Sequence, residues 1–320
     1  MAINADKPHL WKADTLASVD QFNQWFLRFA PQAFRETRKT TVESVEDGLT
    51  LTDNLTAVTP AILQAHPGIL PTLRMSTCPP LARDRLIGLA DSSKNLVGSM
   101  EEGRIPPRLS SELLLAHLER ITNVLVKMRD TDIFPWLGEN RRPTSEERYR
   151  SSTIVADRLC GAWADPIVRN AQEKRQLALV EEYLAKRGYR KVEHASGAPI
   201  TQMEPGTFGF RMNVLVTPSK IEAKTVKIPV DVVIQPKGAK LPHLPILIEA
   251  KSAGDFTNVN KRRKEEATKV NQLRATFNGN VVFAMFLCGY FDAAYLGYEA
   301  AEGIDWVWEH RIGDLDQLGI

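Results

Sequence analysis

Pro229-Val230-Asp231-Val232-Val233-Ile234 and Pro245-Ile246-Leu247-Ile248-Glu249-Ala250-Lys251 are the two runs on which the fold turns. Each is short, apolar, rich in β-branched residues and bounded by proline, so each reads as a buried strand. Gln235–His243 lies between them and carries Pro236, Lys237-Gly238 and Pro242, the composition of a turn that lets the strands lie side by side. The first strand holds one carboxylate, Asp231. The second ends in Glu249 and Lys251, two residues apart and therefore on one face. Charges on otherwise apolar strands cost free energy, so three of them together call for a chemical role.

Two converging carboxylates make an oxygen-ligand site for Mg²⁺, which takes one or two carboxylates, waters and substrate phosphate oxygens. Such a metal lowers the pKa of a bound water and polarises a phosphoryl group. A neighbouring lysine stabilises charge developing on phosphorus or positions the water. The order Asp231, spacer, Glu249-Ala250-Lys251 resembles that of the PD-(D/E)xK nuclease superfamily, with Pro229 two residues before Asp231 rather than beside it.

The next stretch adds the charge a phosphodiester substrate requires. Ser252–Asn260 is small and polar, a loop, and Lys264 onward has helical composition. Between 251 and 274 the basic residues are Lys251, Lys261, Arg262, Arg263, Lys264, Lys269 and Arg274, against Asp255, Glu265 and Glu266, in a chain whose formal net charge is only +2. A basic cluster beside a carboxylate pair suits a polyanion. Ser252, Asp255, Thr257, Asn258 and Asn260 are placed to approach bases or phosphates, and Lys261, Arg262, Arg263 and Lys264 to contact phosphates.

Ile-Pro-Val-Asp-Val-Val-Ile (228–234), Leu-Ile-Glu-Ala-Lys-Ser-Ala-Gly-Asp-Phe-Thr-Asn (247–258) and Lys-Arg-Arg-Lys-Glu-Glu-Ala-Thr-Lys (261–269) closely resemble the XamI-like type II restriction endonucleases. The resemblance implies an Mg²⁺-dependent endonuclease acting on double-stranded DNA, a homodimer that cuts a short palindrome and leaves 5′-phosphate ends. The family's named member reads GTCGAC. In these terms Asp231, Glu249 and Lys251 are the catalytic set, with Asp231 and Glu249 as metal ligands. Glu173 and Glu181, near the apolar stripe of a preceding helix, and Glu265 are further candidates for the metal site. A structure-specific repair or junction nuclease on the same core, an inactive DNA-binding protein and a set of structural ion pairs are the rival readings.

The rest of the chain sets the frame. At 320 residues, 43% hydrophobic and 25% charged, it has the composition of a globular protein with room for two domains. No run approaches the roughly 20 apolar residues of a membrane span, and the N-terminus lacks the features of a signal peptide. Cys78, Cys160 and Cys288 show neither zinc spacing nor a disulfide framework. A cytoplasmic protein with no membrane partner and no small-molecule substrate is the expectation.

Residues 1–165 read as a mainly helical domain that grips DNA or forms the dimer, and 166–320 as the nuclease domain. In the first, a helix opening at Ser18 carries Phe22, Trp25, Phe26 and Phe29 as a core stripe, and Ser110 or Ser111 caps the strongest helix. A helix from Thr144 or Ser145 ends at Trp163–Pro166, and another runs to Gly188. Arg141, Arg142, Arg148 and Arg150 are either a solvated run or backbone contacts to DNA. In the second domain, Gly206–Val216 pairs with Thr225–Ile234 across a turn near Pro218. Glu265 and Lys269 read as an i,i+4 pair. Trp306 and Trp308 read as half-buried core on a last strand. The expected class is α/β (α+β): a PD-(D/E)xK restriction-endonuclease-like core, a mixed central sheet flanked by helices, with an N-terminal helical domain.

Overall fold

A computed structural model describes residues 2–193, 199–217, 225–256 and 259–320, without the side chains of 259–263. In chain order the elements are α1 (Pro8–Leu51), α2 (Pro60–Ala65), α3 (Leu70–Met75), α4 (Arg83–Leu89), α5 (Lys94–Glu101), α6 (Ser111–Lys127), α7 (Trp136–Glu139), α8 (Ser145–Lys186), β1 (Arg190–Lys191), β2 (Thr207–Val216), β3 (Val226–Gln235), β4 (Ile246–Ala253), α9 (Val259–Thr276), β5 (Phe283–Gly289), α10 (Ala293–Ala301) and β6 (Asp305–Trp308). A 3₁₀ stretch, Glu309–Leu318, follows.

The chain divides into two compact units, residues 30–168 and residues 1–29 with 169–320. The boundary falls within α1 and α8, so the N-terminal 29 residues group with the C-terminal half rather than with the helical unit. Their tether is specific. The Asp305 carboxylate accepts backbone N–H groups of Ile3, Asn4 (2.9 Å) and Ala5 (3.0 Å), and the Trp11 ring meets Trp306 edge-on at 5.6 Å.

The helical unit is built from α2–α7 and the adjoining parts of α1 and α8 around Leu49, Leu70, Leu86, Leu118, Trp136 and Leu159. Ser110 caps α6, its hydroxyl accepting the Leu113 N–H. Thr144 and Glu147 form a capping box at the start of α8: Thr144 Oγ1 accepts the Glu147 N–H at 3.2 Å, and Glu147 Oε2 accepts the Thr144 N–H at 2.9 Å. Two expected boundaries move. α1 begins at Pro8 and passes through Pro31, and α8 passes through Pro166 instead of ending there. Proline removes one hydrogen bond and costs a helix interior about 3 kcal/mol. Leu159, Cys160 and Ala164 before Pro166, and Leu177, Val180 and Leu184 after it, are all buried, and that burial outweighs the lost bond.

The other unit is a six-stranded mixed sheet among the described residues, in the order β1-β2-β3-β4-β5-β6. β2–β3 and β3–β4 are antiparallel; β1–β2, β4–β5 and β5–β6 are parallel. Two apolar layers cover it, one with Val230, Leu247, Met285 and Trp306, the other with Val232, Ile248, Phe286 and Val307. Trp306 and Trp308 belong to the core but are fully buried rather than half-buried, because both faces of the sheet are covered.

Two irregularities position the site. First, β3 pairs with β4 only at Val232↔Ile248, Val233↔Leu247 and Ile234↔Ile246, while it stays paired with β2 from Val226 to Gln235 except at Asp231. The sheet therefore forks just beyond Val232. Pro229 lies on the part of β3 with no β4 partner, where a strand tolerates a residue without an N–H. Second, β2 and β3 change faces together. Phe208 packs in the layer of Val232 and Ile234, whereas Met212 and Val214 pack in the layer of Val230. In a regular strand Phe208, Met212 and Val214 would share one face. The switch lies between the rungs Phe210↔Val232 and Met212↔Val230, at Arg211 and Asp231, the two opposed positions that form no rung. Arg211 takes a left-handed backbone there, φ 51°, which costs an L-residue about 1–2 kcal/mol. Gly209 accommodates the switch, since a Cβ at that position would lie 1.9 Å from Met212 Cε.

Candidate active site

Asp231 occupies the crotch of the fork. Its Oδ2 accepts the Ala250 N–H at 2.9 Å, replacing the carbonyl a continuing β3 would have supplied. Burial and the nearby Glu249 charge raise its pKa from 3.8 to about 6. Glu249 and Lys251 follow on β4, the first only 9% exposed. Lys251 Nζ lies 3.3 Å from Glu249 Oε1 and 2.7 Å from Glu266 Oε1. Lys269 Nζ lies 2.5 Å from Glu249 Oε2. Burial alone would lower the Lys251 pKa, but Glu266 and Glu249 outweigh it and hold the ammonium above its ordinary value.

Glu266 and Lys269 join this network although the sequence reading gives Glu266 no site role and pairs Lys269 with Glu265. Glu266 is instead 3% exposed, and Lys269 reaches Glu249. A signal is present in the sequence. Glu266 stands four residues before Val270 and seven before Leu273, on the same helical face as those two buried side chains. An acid on an apolar stripe needs a buried partner, and Lys251 is that partner.

The other expected residues are distributed as follows. Ser252 is half-buried in β4 opposite Cys288, and Asp255 is exposed in the bend after β4. Thr257 and Asn258 lie outside the described residues. Asn260, Lys261, Arg262 and Arg263 fall on the first turns of α9, their side chains outside the description. Lys264 is exposed and lines the same cleft as Lys227, Glu249 and Lys251, as does Glu265. Glu173 pairs with Arg211 at 2.6 Å and shares a concavity with Asp231, Pro229 and Asn170, whereas Glu181 pairs with Lys191 at 2.8 Å. Arg141 is held by Glu139 and Glu147, and Arg148 by Glu46. The three cysteines are free thiols.

Among the described residues no three His, Cys, Asp or Glu side chains converge as a ready-made metal cage. A hard divalent cation does not require one, since water and phosphate oxygens complete its shell. At the fork, Asp231, Glu249 and Glu266 stand against Lys251 and Lys269, which leaves one negative charge uncompensated. That excess charge suits a divalent cation, which Asp231 and Glu249 would hold, Glu249 by exchanging a lysine contact for the metal.

A forked sheet that presents two carboxylates and an ammonium beside a lysine-lined cleft suits the class of enzymes that hydrolyse phosphodiesters. The chain belongs to the XamI restriction endonuclease family, whose sequence profile matches residues 53–308. It is 55% identical over 317 residues, 99% of each chain, to the type II restriction enzyme SalI of Streptomyces albus G. No solved structure matches it. The protein is accordingly a type II restriction endonuclease, a site-specific deoxyribonuclease whose substrate is double-stranded DNA, and the repair-nuclease and inactive-binder readings give way. Enzymes of this class generally use a divalent metal ion. No helix among the described residues is long and apolar enough to cross a membrane.

Proposed function

We propose that the fork is a PD-(D/E)xK catalytic centre and that the enzyme cleaves GTCGAC, with Mg²⁺ as its metal and 5′-phosphate ends as its products. The observation that carries this reading is the convergence of Asp231, Glu249 and Lys251 where β3 parts from β4. Asp231 and Glu249 hold the cation. When bound, it supplies a Lewis acid for the phosphoryl oxygens and a water of lowered pKa. Lys251 is an ammonium held in place by Glu249 and Glu266, so its work is to donate hydrogen bonds to the negative charge that builds on the phosphoryl oxygens. Lys227 and Lys264 line the approach, and Lys261, Arg262 and Arg263 extend the same basic segment.

A palindrome presents the same half-site on each strand, so a two-fold homodimer brings one fork to each scissile bond. The helical unit would serve the grip on DNA or the dimer contact, and a DNA substrate suits a cytoplasmic enzyme. The test is digestion of two duplexes, one with a single GTCGAC and one with a single base pair of it changed, in Mg²⁺ and in EDTA. Cleavage of the first duplex alone, only in Mg²⁺, with ends that ligase accepts directly, supports the reading. Equal cleavage of both duplexes would remove the specificity, and cleavage by Asp231→Asn would remove the site.

A further inference from the structure

The concavity that contains Asp231 also contains Arg211, and nothing in the catalytic set uses it. Arg211 is the residue directly across the β2–β3 ladder from Asp231, at the pair where the ladder breaks and both strands change faces. Its φ of 51° is a conformation that glycine or asparagine adopts at little cost and arginine does not. A face switch by itself needs no side chain, so the presence of arginine there requires a separate reason. The pair with Glu173 does not provide it. That pair is largely exposed, with relative side-chain accessibilities of 59% and 35%, and such pairs add little to stability.

Position provides a better one. Arg211 also borders a second groove, lined by Lys174, Lys191 and Lys227, which meets the Asp231 concavity at Arg211 and Lys174. Lys227 in turn lines the cleft of Glu249 and Lys251. Glu181 and Glu193 line the second groove too, and Lys191 is paired with Glu181, so Arg211 and Lys174 are the cations where that groove reaches Asp231. The planar guanidinium already makes a two-nitrogen contact with one carboxylate oxygen: Nη2 lies 2.6 Å and Nε 3.1 Å from Glu173 Oε1. An anionic oxygen is what a DNA phosphate presents.

We propose that Arg211 is a phosphate-binding residue of the scissile strand, with Glu173 occupying the place of the phosphate until DNA arrives. The left-handed backbone sets the guanidinium in the concavity beside Asp231, and the weak exposed pair lets it exchange partners. This rests on the reading of Asp231 as part of the catalytic centre.

Arg211→Gly separates the proposal from a structural role, because glycine relieves the backbone while deleting the side chain. The variant is compared with wild type for melting temperature, for the salt dependence of binding in EDTA to a duplex the wild type cuts, and for kcat/KM. The expected result is an equal or higher melting temperature, a log–log salt slope shallower by about one, and cleavage reduced about tenfold or more. Glu173→Gln should bind DNA at least as tightly as wild type. An unchanged salt slope in Arg211→Gly overturns the proposal. So does equal weakening of binding and melting temperature by the two variants, which is the signature of a purely structural pair. Asp231→Asn is run alongside. If it is inactive while the Arg211→Gly slope is unchanged, only the Arg211 proposal has failed; if it still cuts, the catalytic reading has failed and the proposal with it.

Discussion

The two sides of the fork carry their charge differently. On the β4 side Glu249 sits between two ammonium groups, Lys251 and Lys269, and Glu266 balances Lys251 from α9. Buried charges survive there because each has a partner at close range. On the β3 side Asp231 has one backbone N–H at 2.9 Å, and burial with the Glu249 charge pushes its pKa up to about 6. One side is a closed ion-pair network and the other an open acceptor. A site that must admit a cation needs both: a rigid wall that fixes the lysine, and a carboxylate whose charge is left to be neutralised by what binds.

Deleting the centre of the closed side should have the largest effect. Lys251→Ala leaves Glu249 with Lys269 alone and takes from Glu266 the ammonium it pairs with. Cleavage should fall at least about a thousandfold, and unfolding should require about 3 kcal/mol less. Lys251→Met, which keeps the side-chain volume, should recover much of the stability and none of the cutting. A Lys251→Met protein that still cleaves would show that the ammonium has no part in the chemistry.

Glu266→Gln should be milder. The glutamine fills the same space and can still accept a hydrogen bond, but Lys251 loses the charge that chiefly holds its pKa up. kcat should drop about tenfold with KM little changed, and the alkaline limit of activity should move to lower pH. Glu266→Ala with an unaltered pH profile would reduce Glu266 to a packing residue and break the picture of a wall that orients Lys251.

This contrast is only partly legible in the sequence. The strands carrying Asp231 and Glu249 are readable because buried strands announce themselves as apolar β-branched runs, and Asp231 with Glu249-Ala250-Lys251 stands out against them. α6 and its Ser110 cap are readable for the same local reason. Glu266 and Lys269 escape because the start of α9 reads as a DNA-facing basic run with Lys269 paired to Glu265, although Glu266 falls on the line of Val270 and Leu273. Arg211 leaves no trace at all. Phe208, Phe210, Met212 and Val214 alternate as an ordinary strand would, and only the packed layers reveal that the face changes between Phe210 and Met212. The continuity of α8 through Pro166 is likewise decided by burial on both sides, a tertiary term that local rules do not contain.

The smallest expected effect tests the open side, and it has an unusual sign. A carboxyl whose pKa is raised from 3.8 unfolded to about 6 folded binds its proton more tightly in the native state. Its favourable contribution is complete below pH 3.8 and is lost as the pH climbs through about 6, so at pH 7.5 the ionised Asp231 is a net cost. An asparagine side chain in its place is neutral at every pH and can still accept the Ala250 N–H. In EDTA at pH 7.5 Asp231→Asn should therefore be more stable than wild type, by about 1–2 kcal/mol once its partial exposure is allowed for. The advantage should shrink on acidification and vanish below about pH 4. Adding a divalent cation should reverse the order, because only the wild type gains the binding free energy. Thermal melts over pH 4–8, with and without Mg²⁺, read all three effects. A variant less stable than wild type in EDTA at pH 7.5 would mean that Asp231 is already paired in the resting protein, and the fork would then be two closed sides rather than one closed and one open.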